Sequence, residues 1–535
     1  MAVWWQGMGD RLDSWKDIAS YLGREVRTVQ RWEDERHLPV HRLPGGDKPR
    51  VYALRSELDR WLRVAPHETA GAPSVAVLPF ANLAGDKESE YFGDGLGDDI
   101  IDALTRVPGL RVTARTSSFA FRGKEQDVRE IGARLGVTAL VEGSVRRSGG
   151  RVRISVQLVS AENGYHLWSQ TYDRELTDIF AIQEEMARSV AQALSVRLTP
   201  APVVRRFTED MEAYDLWLKG RCAAARWTPA GFAEAHECFV AALARDPRFP
   251  LPYVAIAEAL FKSAWFEFIP PLEAAPQAKE LVLKALALDD RLGEAHAVLG
   301  SLCGVFEYNW AAAEQAFERA LEISPGSPAV LLRHAFYFLA PQLLLTEAIE
   351  EFRSAIAQDP LSAMLHTEFG LTLLLARDFP ASEKHCRTAV DLAPELWAPR
   401  WFLGGALMGQ GRADEALAQF RSALETIGPA PMALGGMCCV NGLLGRPDEA
   451  RHFYGELEKA ARAAPVQPLA YGWAYLGLGD DRVFQALDQA VEAREPGVTC
   501  LPSLLIYDGI RGDPRFPRLV DKMGLGDAAR RHATA

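Results

Sequence analysis

The chain has 535 residues, too many for one hydrophobic core, and at ordinary domain sizes it divides into about three or four units. Hydrophobic and charged contents of 48% and 24% are ordinary for a soluble globular protein, and no apolar run approaches the ~20 residues of a membrane helix. Seven cysteines, an odd number without framework spacing, exclude a disulfide scaffold and predict reduced thiols in a cytoplasmic protein. The net charge of −12 should repel a polyanion, but it is unevenly placed: residues 1–66 carry 12 Lys/Arg against 10 Asp/Glu, a net of +2, leaving −14 on the rest.

The opening "MAVWWQGMGDRL" lacks a basic segment followed by an apolar one, so no signal peptide is expected. In "DSWKDIASYLG", Ser14 is placed to cap a helix, with Asp17 three residues on and Gly23 as its stop. "EVRTVQRWEDER" predicts a second helix starting near Val26. At 100° per residue, Val26, Val29 and Trp32 share one side, while Arg27, Gln30, Arg31 and Asp34 share the other. Next, "PVHRLPGGDKPRVYAL" reads as two extended runs around a Pro/Gly turn, and "SELDRWL" closes the unit with Ser56 and Asp59 as a further capping pair.

These residues, about 10–64, resemble the excisionase and MerR-type winged helix-turn-helix family. The matching strings are "DIASYLGREVRTVQRWEDERHLPVHR" and the wing signature "RVY" at Arg50 to Tyr52. The resemblance implies a small α+β DNA-binding domain whose second helix enters the major groove of double-stranded DNA. It places base-edge contacts on Arg27, Thr28, Gln30 and Arg31, and backbone contacts on Arg24, Lys48 and Arg50. Arginine and glutamine suit guanine and adenine there because each offers a bidentate pairing. The alternative is that these side chains form one solvated helical face.

A short linker, "APHETAGAP" at 65–73, precedes a region of mixed pattern over 74–198. Its expected order is β-α-β-α-β-β-β-α: strands at "SVAVLPF" and "LRVTART", helices at "LGDDIIDALTRV" and "DVREIGARLGV", three strands turning at "SGG" and "ENG", and a closing helix at "IFAIQEEMARSVAQAL". In "RVRISVQLV" the alternation of Val152, Ile154, Val156 and Leu158 with polar residues predicts a sheet buried on one face. The strings "VLPFANLAGD", "EYFGDGLGDDI", "ARTSSFAF" and "GYHLWSQTYDREL" resemble the TolB-like amino-terminal domain, which implies an α/β, non-catalytic recognition module. Asp94, Asp98 and Asp99 read either as a hard-metal cluster or as the acidic first turn of a helix capped by Asp94, and the latter is favoured. Arg146, Arg147, Arg151 and Arg153 straddle a hairpin turn, as an anion site or, favoured, a solvated face.

From residue 213 onward the pattern is helical, and one triad recurs: Ala, an aromatic four later, Ala three after that. Copies lie at Ala235/Phe239/Ala242, Ala313/Phe317/Ala320, Ala348/Phe352/Ala355 and Ala416/Phe420/Ala423, with degenerate ones at Ser382/Cys386/Ala389 and Ala450/Tyr454/Leu457. From Ala313 the steps are 35, 34, 34 and 34 residues, the period of the tetratricopeptide (TPR) repeat. The resemblance implies about eight helix pairs over 208–495, an all-α superhelical solenoid whose concave groove takes an unknown protein or peptide. Residues 496–535 resemble the capping segment common behind such arrays.

No GxxxxGK[ST], HExxH or CxxC is present, and Pro39 between His37 and His41 spoils helical ligand geometry. No catalytic residue, metal or cofactor is therefore expected, nor a membrane partner. The expectation is a cytoplasmic DNA-binding regulator. The alternative is an interaction scaffold whose amino-terminal domain docks protein.

Overall fold

The computed structural model describes residues 11–22, 26–27, 29–30, 33, 38–43, 50–55, 57–58, 73–83, 87–123, 126–148, 150–196, 204–225, 229–266 and 268–534. They fall into two compact units, Met1–Thr69 and Ala70–Ala535.

In the first unit, extended Ser14 accepts from the Asp17 backbone N–H at 3.2 Å and donates to its carboxylate at 2.7 Å, starting α1 (Trp15–Tyr21). Residues 26, 27, 29, 30 and 33 are also helical. β1 (Arg11–Leu12), β2 (His41–Leu43) and β3 (Arg50–Leu54) form an antiparallel sheet in the order β1-β3-β2. The hairpin expected around the Pro/Gly turn is there, and β1 adds a strand the sequence reading lacked. A small core of Leu12, Ile18, Ala19, Val29, Leu38, Ala53 and Leu58 holds these elements together. It admits Val29 but leaves Val26 at 36% exposure, so the expected apolar face is narrower than Val26 and Val29 together. Gly23, Trp32, Asp34, Ser56 and Asp59 lie outside the described residues.

The second unit opens with β4 (Ser74–Val77), β5 (Ala81–Asn82), α2 (Lys87–Thr105), β6 (Arg111–Val112), α3 (Arg115–Phe119) and α4 (Val128–Leu135). β7 (Ala139–Ser148), β8 (Arg151–Ser160), β9 (His166–Glu175) and α5 (Ile179–Ala193) follow. The sheet order is β6-β4-β7-β8-β9, with β6, β4 and β7 parallel and β7, β8 and β9 antiparallel; β5 runs parallel to β7. Val152, Ile154, Val156 and Leu158 are buried on one face, as alternation requires. Two elements differ from expectation. The strand at "LRVTART" stops at Val112, and Arg115–Phe119 is a helix instead. The helix expected from Leu96 is already formed at Lys87, and Asp94 sits in its interior, not at a cap.

Among the described residues, 211–492 form eight successive helix pairs, followed by short helices over 496–534. The pairs are α6 (Met211–Ala224) with α7 (Pro229–Arg245), α8 (Pro250–Trp265) with α9 (Pro271–Leu288), α10 (Gly293–Ser301) with α11 (Trp310–Ile323), and α12 (Pro328–His334) with α13 (Leu345–Gln358). Then come α14 (Ala363–Leu375) with α15 (Phe379–Leu392), α16 (Ala398–Gly409) with α17 (Ala413–Ile427), α18 (Pro431–Leu443) with α19 (Pro447–Ala463), and α20 (Pro468–Leu478) with α21 (Val483–Glu492). Phe239, Phe317, Phe352, Cys386 and Phe420 are all buried, as the triad demands, while Tyr454 in the degenerate copy is only half-buried. A left-handed residue marks the turn inside six pairs: Tyr308, Leu343, Arg377, Gly411, Gly445 and Gly479. The single 35-residue step has a local cause. Residues Ala335–Leu339, after α12, form a π-helical turn, and such a turn accommodates one extra residue without breaking the helix.

The α/β elements and the first repeats share one core, in which Val152, Ile154 and Val190 belong with Trp217, Phe239 and Phe249. At the other end the chain returns on itself. Trp310 donates to the Met523 carbonyl at 2.7 Å, and Arg377 holds both Asp508 oxygens at 2.7 and 3.0 Å. Every residue from Leu365 to Leu375 of α14 is buried, and Cys500, Leu504 and Leu505 join the core that contains it. Residues 496–525 therefore cover earlier repeats as well as the end of the array.

Candidate nucleic-acid interface and a buried charge seam

Arg27 and Gln30 are both exposed on the helical stretch that buries Val29 between them. Their three-residue spacing puts them on one outward side. Arg50 is paired with Leu43 at the start of β3, so its backbone lies in the hairpin. Arg24, Thr28, Arg31 and Lys48 fall outside the described residues, as does the Arg50 side chain. The hairpin is tied to the helix by Arg42, which donates to both Glu33 oxygens at 2.5 and 2.9 Å. That pairing neutralises one acid of the "EDE" run beside the outward side. His41 stacks on Tyr52 at 5.0 Å and bonds Glu57 at 2.6 Å, so it is engaged inside the hairpin.

In the second unit the three aspartates of α2 turn out to be neither a metal cluster nor a capping turn. Asp94 pairs with Arg122, and Asp98 takes Arg221 of α6 together with Arg115, the latter at 3.3 Å. Asp99 accepts from the Tyr214 hydroxyl and from Gln183 Nε2, the latter at 2.8 Å. Burial pushes the Asp99 carboxyl up to about 7, although the Tyr214 hydroxyl bond pulls the other way. The Arg221 guanidinium, also buried, is pushed down to about 10. Among the described residues, no three His, Cys, Asp or Glu side chains are grouped to hold a metal ion.

The arginine hairpin likewise differs from a free anion site. Arg147 donates to Asp215 of α6 at 2.9 Å, and Arg151 to Asp173 at 2.7 Å, so two of its four charges are paired. Tyr91 donates to the other Asp215 oxygen at 3.0 Å. Farther along, Ser117 of α3 donates to Asp359 through its N–H at 2.9 Å and its hydroxyl at 2.5 Å, and accepts from the Leu361 N–H at 2.8 Å. The α/β elements thus grip both α6 and the turn between α13 and α14. No local pattern in the sequence signals this, because Asp215 lies 68 residues from Arg147 and 124 from Tyr91, and Asp359 lies 242 from Ser117.

No family model matches the chain. Residues of the chain are 40% identical over 226 positions to "Putative adenylate cyclase 3" of Rhizobium meliloti, spanning 42% of this chain and 37% of that protein. A second match, at 23% over 300 residues, is to "Transcriptional regulator HilA" of Salmonella typhimurium, with 54% and 51% covered. The chain thus spans about half or less of the curated relatives it matches. Among solved structures, Pseudomonas aeruginosa PilF aligns at 18% identity and TM-score 0.33, over 43% of this chain and 96% of that one. A human IFIT1 dimer with m7Gppp-AAAA aligns at 16% and TM-score 0.41, over 66% and 76%. Among the described residues, no helix is long and apolar enough to cross a membrane.

Proposed function

We propose that the chain is a cytoplasmic DNA-binding transcriptional regulator whose first unit is a winged helix-turn-helix domain, and whose TolB-like α/β and TPR regions receive a protein or peptide signal. The observation that carries this reading is the outward pair Arg27 and Gln30, held by buried Val29 beside the β2–β3 hairpin that bears Arg50. Thr28 and Arg31 would join them at base edges, and Arg24, Lys48 and Arg50 would meet phosphate. The name of the Salmonella relative, a transcriptional regulator, supports the reading.

The chain's own residues 496–510 accompany the core around α14, so the protein or peptide partner would meet other faces of the array. The proposal assigns no catalytic residue, metal or cofactor, although the Rhizobium relative carries a cyclase name, because that match spans only 37% of the relative. The competing reading is a scaffold whose first unit docks protein. Fluorescence anisotropy of the full chain against random-sequence duplex DNA at about 50 mM salt separates the two. Binding that weakens steeply with added salt is expected. No salt-dependent binding would sink the DNA reading and leave the scaffold.

A further inference from the structure

The sheet of the second unit ends on β9, and among the described residues no strand lies on its outer side. Sheet edges in soluble proteins are guarded by being short, by proline or lysine, or by a covering segment. β9 runs for 10 residues, "HLWSQTYDRE", without proline or lysine, and its register irregularity lies at one end, beside Leu158 and Val159. The direction of its backbone groups follows from the ladder. Leu176 donates its N–H to the Gly150 carbonyl at 2.8 Å, and β8 and β9 pair without a slip from Arg151–Glu175 to Leu158–Trp168. Bonded pairs alternate along an antiparallel ladder, so Trp168, Gln170, Tyr172 and Arg174 turn their N–H and C=O groups to β8. Ser169, Thr171 and Asp173 turn theirs outward, and all three residues are exposed. Side chains alternate in step. Buried Tyr172 faces α5, as does Gln170, which donates to Glu185 of that helix at 3.0 Å; Ser169, Thr171 and Asp173 face the other way.

Whatever completes this edge must match it in length and pattern, and β9 matches itself. Two copies of one strand pair antiparallel about a two-fold axis normal to the sheet, which keeps every side chain on its own face. Two registers use the whole strand. The one centred on Gln170 sets His166 against Arg174 and Leu167 against Asp173. In the one centred on Thr171 the outward residues meet one another: Thr171 its own copy, and Ser169 the Asp173 of the second copy, a hydroxyl against a carboxylate. On the α5 side Trp168 then meets Arg174, a cation beside an aromatic ring, and Gln170 meets Tyr172. No like charges stand opposite in that register.

We propose that the chain dimerises through β9, two copies joining antiparallel about Thr171 so that one continuous sheet crosses both. About six inter-chain backbone bonds, from Ser169, Thr171 and Asp173 of each copy, close the interface. The pairing uses up both edges and stops at two copies; the opposite edge, β6, is only Arg111–Val112 and is too short to repeat it. A single strand pair is a small interface, so reversible association in the range of about 1–100 µM is expected. Such a particle carries two copies of the first unit, as a pair of DNA half-sites requires, but the pairing does not depend on what that unit binds.

The test is sedimentation velocity on the full chain from about 1 to 300 µM, which spans that range. A monomer giving way to a dimer, with nothing larger, is expected. Thr171 sits on the axis, so Thr171→Lys sets two lysines opposite each other, about 5.5 Å apart at Cα, and Thr171→Glu does the same with two carboxylates. Both changes fall on an exposed side chain and should leave the melting midpoint near that of wild type. Each variant alone should stay monomeric, and their equimolar mixture should recover the dimer, because lysine then faces glutamate. A wild-type chain that stays monomeric, a dimer that survives Thr171→Lys, or a mixture that fails to associate would each overturn the proposal.

Discussion

Gly404 of α16 lies so close to Phe420 of α17 that a Cβ on the glycine would fall 2.8 Å from the ring. The same relation joins Gly300 to Phe317 at 2.7 Å and Gly370 to the Cys386 sulfur at 2.5 Å. Each glycine thus lets one helix of a pair press on the buried knob of the other. Gly404→Ala should destabilise the second unit by about 1–2 kcal/mol, because overpacking outweighs the gain in helix propensity. Phe352→Ala, which removes the knob itself, should cost about 3–5 kcal/mol. Urea melts of the full chain followed by tryptophan fluorescence would check both. A stabilised Gly404→Ala would mean that the ring moves aside freely.

Gly411 poses the opposite case. Its φ is +75°, and nothing lies within 4 Å of where its Cβ would point. Gly411→Ala therefore meets no clash, only the strain of a left-handed backbone, on the order of 1–2 kcal/mol. Leu343 and Arg377 already bear that strain at equivalent turns, Arg377 while holding Asp508. Arg377→Gly should relieve the strain yet lose the hold on residues 503–508. Proteolysis nearer the carboxyl terminus than in wild type is the expected sign; unchanged cleavage would show that Trp310 and the packing of Cys500, Leu504 and Leu505 hold the segment unaided.

The repeat was legible because its signal is local: small–aromatic–small spacing maps directly onto Ala313, Phe317 and Ala320, all buried. The turns were half legible. Gly411, Gly445 and Gly479 could announce a left-handed residue, whereas Tyr308, Leu343 and Arg377 could not. Asp98 and Asp99 were misread for a different reason. Their partners Arg221 and Tyr214 lie 123 and 115 residues away, and composition near position 98 carries no trace of them. The outward placing of Arg27 and Gln30 followed from helical period alone, but the period also promised a buried Val26, and burial is decided by a core too small to take it.

Glu368 on α14 gives a pH-dependent prediction. Burial pushes its carboxyl up to about 8. An acid whose folded value exceeds its ordinary value of 4.5 binds a proton more tightly when folded. Its presence is neutral below about 4.5, costs progressively more as pH rises, and costs fully above about 8. Glu368→Gln should therefore leave stability nearly unchanged at pH 4.5 and raise it at pH 8.5 by about 4–5 kcal/mol. Melting curves at those two pH values decide it, and an equal shift at both would assign the effect to packing.

The first unit's outward side gives the last prediction. If Arg27 and Gln30 read base edges, replacing either with alanine should cost about 1–3 kcal/mol for the preferred site and relax the preference at one base pair. Lys48→Ala and Arg50→Ala should instead weaken all sequences alike and lower the slope of log affinity against log salt by roughly one each. Arg42→Ala supplies the discriminating control. Arg42 is spent on Glu33, so its loss frees an acid beside the outward side and should weaken binding without changing which sequence is preferred. Selection from random duplexes with the full chain, repeated for each variant at two salt concentrations, measures preference and slope together. If Arg27→Ala and Lys48→Ala behaved identically, with preference untouched, the helix would hold phosphate and not read sequence, and base recognition would have to be sought elsewhere in the first unit.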